Sequence, residues 1–171
     1  MNFESTKQYK KGALGEDYLD KILSQKGFVI YSPDGGKPHP FDRLCASSDK
    51  KSICIAEAKT KARRPFYPDT GINVSHYNDY MNIQKKYSID VFLYFIDESI
   101  HKIYGGLLSN IVRKTDLLHK NKLLHYPRVE GNIIYFPLKN MEIIGDIIDE
   151  VASKLISLST RSYEYPTDKN L

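Results

Sequence analysis

The run Ile53-Cys54-Ile55-Ala56-Glu57-Ala58-Lys59 constrains this chain more than any other stretch. It reads as a β-strand, because a period of two sorts its residues cleanly onto two faces. Ile53, Ile55, Glu57 and Lys59 fall on one face; Cys54, Ala56 and Ala58 fall on the other. A carboxylate and an ammonium therefore share the end of an otherwise apolar face. Charges there are costly unless they are paired or bind a metal. The second face is built from small residues, which lets a helix approach the sheet closely.

The chain has 171 residues, enough for one domain with a proper core. Residues 1–160 are expected to form that domain and residues 161–171 a polar C-terminal tail. A formal net charge of +4 is mildly basic, compatible with nucleic acid without requiring it. Cys45 and Cys54 are the only cysteines, and both lie in apolar, strand-like runs. Reduced core thiols are expected rather than a disulfide or a zinc site. The first residues carry no signal-peptide pattern, and no apolar run is long enough to span a bilayer. The expectation is a cytoplasmic protein without membrane association.

Apolar spacing predicts a first helix over residues 6–26, with Leu14, Leu19, Ile22 and Leu23 on its inner side and Gly27 as its stop. Strands follow at 28–32, 41–46 and 52–59, joined by turns at 33–38 and 47–51. Residues 60–72 read as an irregular basic and aromatic loop, and 74–87 as a helix capped by Asn73 or Ser75. Residues 90–97 carry the strongest buried-strand pattern, with 101–104 placed to pair across the next turn. Further helices are expected at 107–118 and 143–158, and a strand at 133–136 stopped by Pro137. The Leu-Leu-His triplets at 117–119 and 123–125 are too short to mark a repeat. The fold class is α/β (α+β), with a mixed central β-sheet flanked by helices.

Three acidic positions arrive in a telling order. Glu16 lies in Gly12-Ala13-Leu14-Gly15-Glu16 on the first helix, Asp42 in Pro40-Phe41-Asp42 on a strand, and Glu57-Ala58-Lys59 on the next strand of the hairpin. Over residues 12–96 this order resembles the PD-(D/E)XK nuclease superfamily, which includes restriction enzymes, Holliday-junction resolvases and repair nucleases. One departure is Phe41, which separates Pro40 from Asp42. The resemblance implies a restriction-endonuclease-like core and a site in which Asp42 and Glu57 bind Mg²⁺, with Mn²⁺ able to substitute. It implies that the backbone carbonyl of Ala58 is a further ligand and that Glu16 reaches the metal directly or through water. Lys59 would orient or deprotonate the attacking water. Singly, each residue has a plainer reading: an ion pair for Glu57 and Lys59, a turn cap for Asp42, a solvated helix position for Glu16.

Beyond this site, Lys61, Arg63 and Arg64 are placed to neutralise backbone phosphates. Phe66 or Tyr67 is placed to stack on an unpaired base, or else to tuck under the loop. His76, Tyr80 and Gln84 form an i, i+4, i+8 stripe on the following helix, facing the substrate if that helix lines the cleft. Tyr80 is equally a core candidate. His39 is a weaker candidate for the scissile phosphate, and Asp69 reads as a turn residue. His119 and His125 lack partners that would suggest zinc. The function expected is a metal-dependent DNA endonuclease, structure-selective or weakly sequence-specific, since only residues 107–131 offer an accessory region. RNA is not excluded, and a homodimer would supply the two sites that double-strand cutting needs. The alternative is a non-catalytic nucleic-acid-binding or protein-interaction module on the same fold.

Overall fold

The computed structural model describes residues 6–33, 41–49 and 51–160. His39, most of the turn at 33–38 and the tail at 161–171 lie outside the described residues. Helix α1 (Lys7–Gln25) starts where Thr6 turns extended and its hydroxyl accepts the Tyr9 N–H. It stops before Gly27, whose φ of 89° lies in the left-handed region that glycine tolerates. Strands β1 (Val29–Tyr31), β2 (Arg43–Ala46) and β3 (Ile53–Thr60) follow as an antiparallel meander. Then come β4 (Asp69–Asn73), α2 (Val74–Tyr87), β5 (Asp90–Asp97) and β6 (Lys102–Leu107). The remainder is α3 (Leu108–Ile111), β7 (Thr115–His119), β8 (Lys122–Tyr126), β9 (Arg128–Glu130), β10 (Ile133–Pro137), β11 (Glu142–Asp146) and α4 (Asp149–Ser157).

The main sheet runs β1-β2-β3-β5-β6-β11, and β3 and β5 are its parallel pair. The architecture is the one the resemblance implies: a mixed central sheet flanked by helices. One face is covered by α1 and α4, where Leu19, Leu23 and Leu155 pack with Ala56, Ala58, Tyr94 and Ile96. The other face packs Ile55, Leu93 and Phe95 against Tyr80 of α2, Leu108 of α3, and Ile72 and Phe136 of the small β4-β10-β9 sheet. The period-two reading of β3 therefore holds: its small face meets α1, and its Ile55–Glu57 face meets α2. The Tyr18 hydroxyl donates to the Asp146 carbonyl at 3.0 Å and accepts the Ile148 N–H at 3.2 Å, locking α1 to the junction before α4. Cys45 and Cys54 are both free thiols, directly opposed across β2 and β3. No described helix is long and apolar enough to cross a membrane.

Three expectations need correcting. The loop predicted at 60–72 ends in β4, a short polar strand that is buried because it pairs with β10. The helix predicted at 107–118 stops at Ile111; Thr115–His119 instead joins a hairpin with β8. The helix predicted at 143–158 is two elements. Glu142–Asp146 is an edge strand on β6, with Ile143 turned out to solvent, and only Asp149–Ser157 is helical. Its isoleucines satisfy both periods over so short a run, and the free edge of β6 decides for the strand.

Gly15 is where α1 comes nearest the sheet. A Cβ placed there would lie 1.9 Å from Thr60 Oγ1 and 2.9 Å from Thr60 Cγ2. Gly→Ala inside a helix normally stabilises by up to about 1 kcal/mol. Here Gly15→Ala is expected to destabilise by about 1–3 kcal/mol through overpacking. Adding Thr60→Ala should recover most of the loss, and urea unfolding of both variants checks it. A Gly15→Ala protein more stable than the parent would show that the helix has room to move outward.

Candidate active site

The site begins where two strands part. β2 and β3 are paired from Ala46 opposite Ile53 to Arg43 opposite Ala56, and no further. Beyond that point β3 continues beside β5 alone, as far as Thr60 opposite Ile96. Side chains replace the missing ladder reciprocally. Glu57 Oε2 accepts the Asp42 N–H at 3.1 Å, and Asp42 Oδ2 accepts the Ala58 N–H at 3.0 Å. In a strand the N–H and C=O of one residue point to the same side, so the Ala58 carbonyl faces the same open edge as Asp42.

Glu57 is buried, and its other oxygen is held as tightly. Oε1 accepts from Lys59 Nζ at 2.5 Å and from the Tyr80 hydroxyl. Burial raises the Glu57 carboxyl above its ordinary range, against the opposing pull of Lys59. Burial and the Glu57 charge push the Tyr80 phenol well up, so it stays a donor. Tyr80 is only 4% exposed. The substrate contact expected of it is therefore corrected: its hydroxyl orients Glu57 from inside the core. Of the α2 stripe, His76 alone lines the cleft. Gln84 lies two turns further on, with a buried Oε1 that has no hydrogen-bond partner among the described residues.

Glu16 reaches the same region from α1. Its Oε2 lies 3.3 Å from Arg43 Nη1. Burial first, and then the neighbouring Asp42 and Glu57 charges, lift its carboxyl from the ordinary 4.5 to about 7. Arg43 also binds Asp20 at 2.9 Å and donates to the Asp42 carbonyl at 2.8 Å, so one guanidinium joins α1 to the start of β2. Sequence reasoning missed Arg43. The signal was Glu16 and Asp20, an i, i+4 pair of acids on one helix face that needs a cation between them.

The donors Asp42, Glu57, Glu16 and the Ala58 carbonyl are all hard oxygens, the set that Mg²⁺ or Mn²⁺ takes. Asp42 Oδ1 accepts no hydrogen bond from the described residues, and the Asp42 and Glu57 charges add to burial in raising the Glu16 carboxyl. Both observations fit a divalent cation. Among the described residues, however, no three Asp, Glu, His or Cys side chains are drawn together into a closed metal cluster.

In front of the fork lies a cleft of about 700 Å³, whose lining includes Glu16, Lys59, Lys61, Arg63 and His76. Its basic wall is anchored from behind. Asp97, fully buried, accepts the Arg63 N–H at 3.1 Å, the Tyr104 hydroxyl at 2.9 Å and the Ser99 N–H at 3.0 Å. Lys61 Nζ donates to the Gly71 carbonyl at 2.8 Å. Arg64 departs from its expected role. It pairs with the fully buried Asp69 at 2.5 Å and with Glu130 at 2.6 Å, between the rings of Tyr67 and Tyr135 at 4.1 and 3.9 Å. Its charge is spent inside the protein, and Asp69 is the buried partner of that pair rather than a simple turn residue.

No protein-family model matches the chain, and no curated protein matches it in sequence. Among solved structures it is similar to Hjc, a Holliday junction resolvase from Archaeoglobus fulgidus, with TM-score 0.48 and 10% identity over 75% of this chain and 90% of that one. It is also similar to D212, a nuclease from a fusselovirus, with TM-score 0.42 and 12% identity over 85% of this chain and 93% of that one. At these identities the likeness lies in the chain trace alone.

Glu16 gives a signed pH effect. The folded form holds its proton up to about pH 7, while the unfolded form releases it near 4.5. Between those values the native state binds more protons, so stability falls as pH rises. In EDTA, the wild type should lose stability relative to Glu16→Gln between pH 4.5 and 7, with no further divergence above. Parallel curves would mean that Glu16 is ionised throughout. Arg64→Ala should lower stability by several kcal/mol, on the order of 3, because it leaves Asp69 charged and buried. Arg63→Ala should leave stability unchanged and lower the salt slope of duplex DNA binding by about 0.9. Melting curves and binding at several salt concentrations separate the two arginines.

Proposed function

We propose that this chain is a divalent-metal-dependent endonuclease that hydrolyses phosphodiester bonds in DNA. The observation that carries the reading is the fork itself. Asp42, Glu57 and the Ala58 carbonyl meet at an unpaired strand edge, with Lys59 on Glu57 and Glu16 arriving from α1, beside a basic cleft. An ordinary ion pair needs none of that convergence.

In this reading Asp42, Glu57, the Ala58 carbonyl and Glu16 hold Mg²⁺ or Mn²⁺. When bound, the ion lowers the pKa of a coordinated water and offsets charge on the phosphate. The protein's own side chains do the rest. Lys59, at the cleft wall and 2.5 Å from Glu57, positions the attacking water and exchanges a proton with it. Tyr80 and the Asp42 N–H fix the Glu57 carboxylate so that it does not rotate away. Lys61 and Arg63 take the flanking phosphates. Water attacks phosphorus, the bond to one sugar oxygen breaks, and that oxygen leaves with a proton. Recognition through phosphates makes the enzyme weakly sequence-specific or structure-selective, and two copies acting together would cut both strands.

Supercoiled plasmid incubated with Mg²⁺, Mn²⁺ or EDTA provides the test. Metal-dependent nicking or linearisation is expected, lost in Glu57→Ala and reduced at least ~10²-fold in Lys59→Ala, with DNA binding by the lysine variant nearly unchanged. Failure on plasmid, branched DNA and RNA, with no Mg²⁺ or Mn²⁺ binding by calorimetry, would move the assignment to a non-catalytic binding module.

A further inference from the structure

We propose that Phe66, with Lys120 and Lys122, forms a contact surface for unpaired nucleic-acid bases at the mouth of the cleft. The inference deepens the nuclease reading and rests on it. Sequence left Phe66 and Tyr67 equivalent; the structure separates them. Tyr67 is used internally, its ring 4.1 Å from the Arg64 guanidinium and 5.4 Å from that of Arg128. Phe66 is 62% exposed, one residue beyond Pro65 of the cleft lining.

This exposure is not the product of a slack loop. The Arg64 N–H donates to the Asp69 carbonyl at 3.2 Å, and the Pro68 carbonyl accepts the Leu138 N–H at 2.9 Å. The Phe66 carbonyl lies 3.0 Å from His119 Nε2 on the β7–β8 hairpin. A bare aromatic ring on a fixed backbone loses little entropy when it is covered. The same hairpin brings charge. Its two-residue turn, Lys120 and Asn121 with φ of 47° and 62°, sets Lys120 Nζ 5.9 Å from the Phe66 ring centre. Neither Lys120 nor Lys122 has a carboxylate partner among the described residues. An aromatic face beside ammonium groups that have no carboxylate partner among the described residues suits a base with its phosphate, and base stacking tolerates any sequence. A paired base keeps its faces inside the duplex, which selects single-stranded, gapped or flapped substrates. The exposed Leu118 and Leu123 lie on the opposite hairpin face with Asp116 and His125, outside this surface.

The chain has no tryptophan, so F66W adds a single indole reporter. In EDTA, its fluorescence should be quenched saturably by a single-stranded oligonucleotide and by a gapped duplex, and little by a blunt duplex. F66A and F66L should each lose about tenfold in affinity for the single strand, keep their affinity for the blunt duplex, and melt like the parent. K120A/K122A should lower the single-strand salt slope by about 1.4. Equal quenching by blunt duplex, or unchanged single-strand affinity in F66A, overturns the proposal. So does a change in self-association with DNA binding intact, which would assign the ring to a protein contact. Metal-dependent cleavage without quenching removes this surface and leaves the nuclease. Quenching without cleavage of any substrate does the reverse.

Discussion

Everything at the candidate site depends on holding the Glu57 carboxyl in place inside the protein. A buried carboxylate is expensive, and its cost is met here by three donors from three elements: the Asp42 N–H before β2, Tyr80 from α2, and Lys59 from β3 itself. Each of those donors also fixes an element in place. The Asp42 bond holds the parted end of β2 at a set distance from β3. The Tyr80 bond sets the rotation of α2 over the sheet, which in turn puts His76 at the cleft. The Lys59 bond draws the ammonium toward the carboxylate and leaves it partly open to solvent. A polar group that would destabilise a core thus orients the elements around it, and does so only because every oxygen is satisfied.

The basic loop shows a second use of the same principle. Lys61, Arg63 and Arg64 look uniformly suited to phosphate, yet their partners differ. Arg64 is consumed by Asp69, which also accepts the Tyr126 hydroxyl at 2.7 Å, so one arginine ties β4, β8 and β9 together. Arg63 is held through its backbone by Asp97, which leaves its guanidinium without an ion-pair partner among the described residues. The internal arginine makes the loop rigid, and a rigid loop keeps the neighbouring cation and Phe66 turned outward.

This division explains what the sequence made legible. The faces of β3 followed from period two, because burial on both sides of a central strand enforces it. The stop of α1 followed from Gly27 and the start of α2 from Asn73, though the Asn73 side chain makes no capping bond; the Thr6 cap of α1 went unread. Glu16, Asp42 and Glu57 were singled out because they arrive in order on or beside the expected elements; Asp42 lies one residue before β2. What escaped depends on partners distant in the chain. Nothing near Asp69 announces that Arg64 and Tyr126 bury it. Residues 143–146 read as helix because the vacant edge of β6, far earlier in the chain, leaves no local trace. The Leu117–His119 and Leu123–His125 triplets are too short to mark a repeat, and their pairing was not read from the sequence. They are the arms of one hairpin, Leu117 opposite Leu124 and Leu118 opposite Leu123, about a turn at Lys120 and Asn121.

Charge around the fork is unbalanced in a way that joins the two halves of the site. Four carboxylates, Glu16, Asp20, Asp42 and Glu57, face two cations, Arg43 and Lys59, a deficit of two positive charges when all are ionised. The chain as a whole is basic, at +4, so this acidic point is local. Burial first, and then the Asp42 and Glu57 charges, raise the Glu16 carboxyl, so part of that excess is answered by a proton. On the proposed reading, a divalent cation would supply that deficit. The phosphate it would attract is drawn in turn by Lys61 and Arg63 at the rim. On the proposed reading, an acidic floor and a basic rim would separate the two tasks, since a cation held among lysines or a phosphate held among carboxylates would be repelled. The parting of β2 from β3 leaves the β3 edge without a β2 partner beyond Ala56, and the cleft lined by Ala58 and Lys59 there is lined also by Lys61 and Arg63.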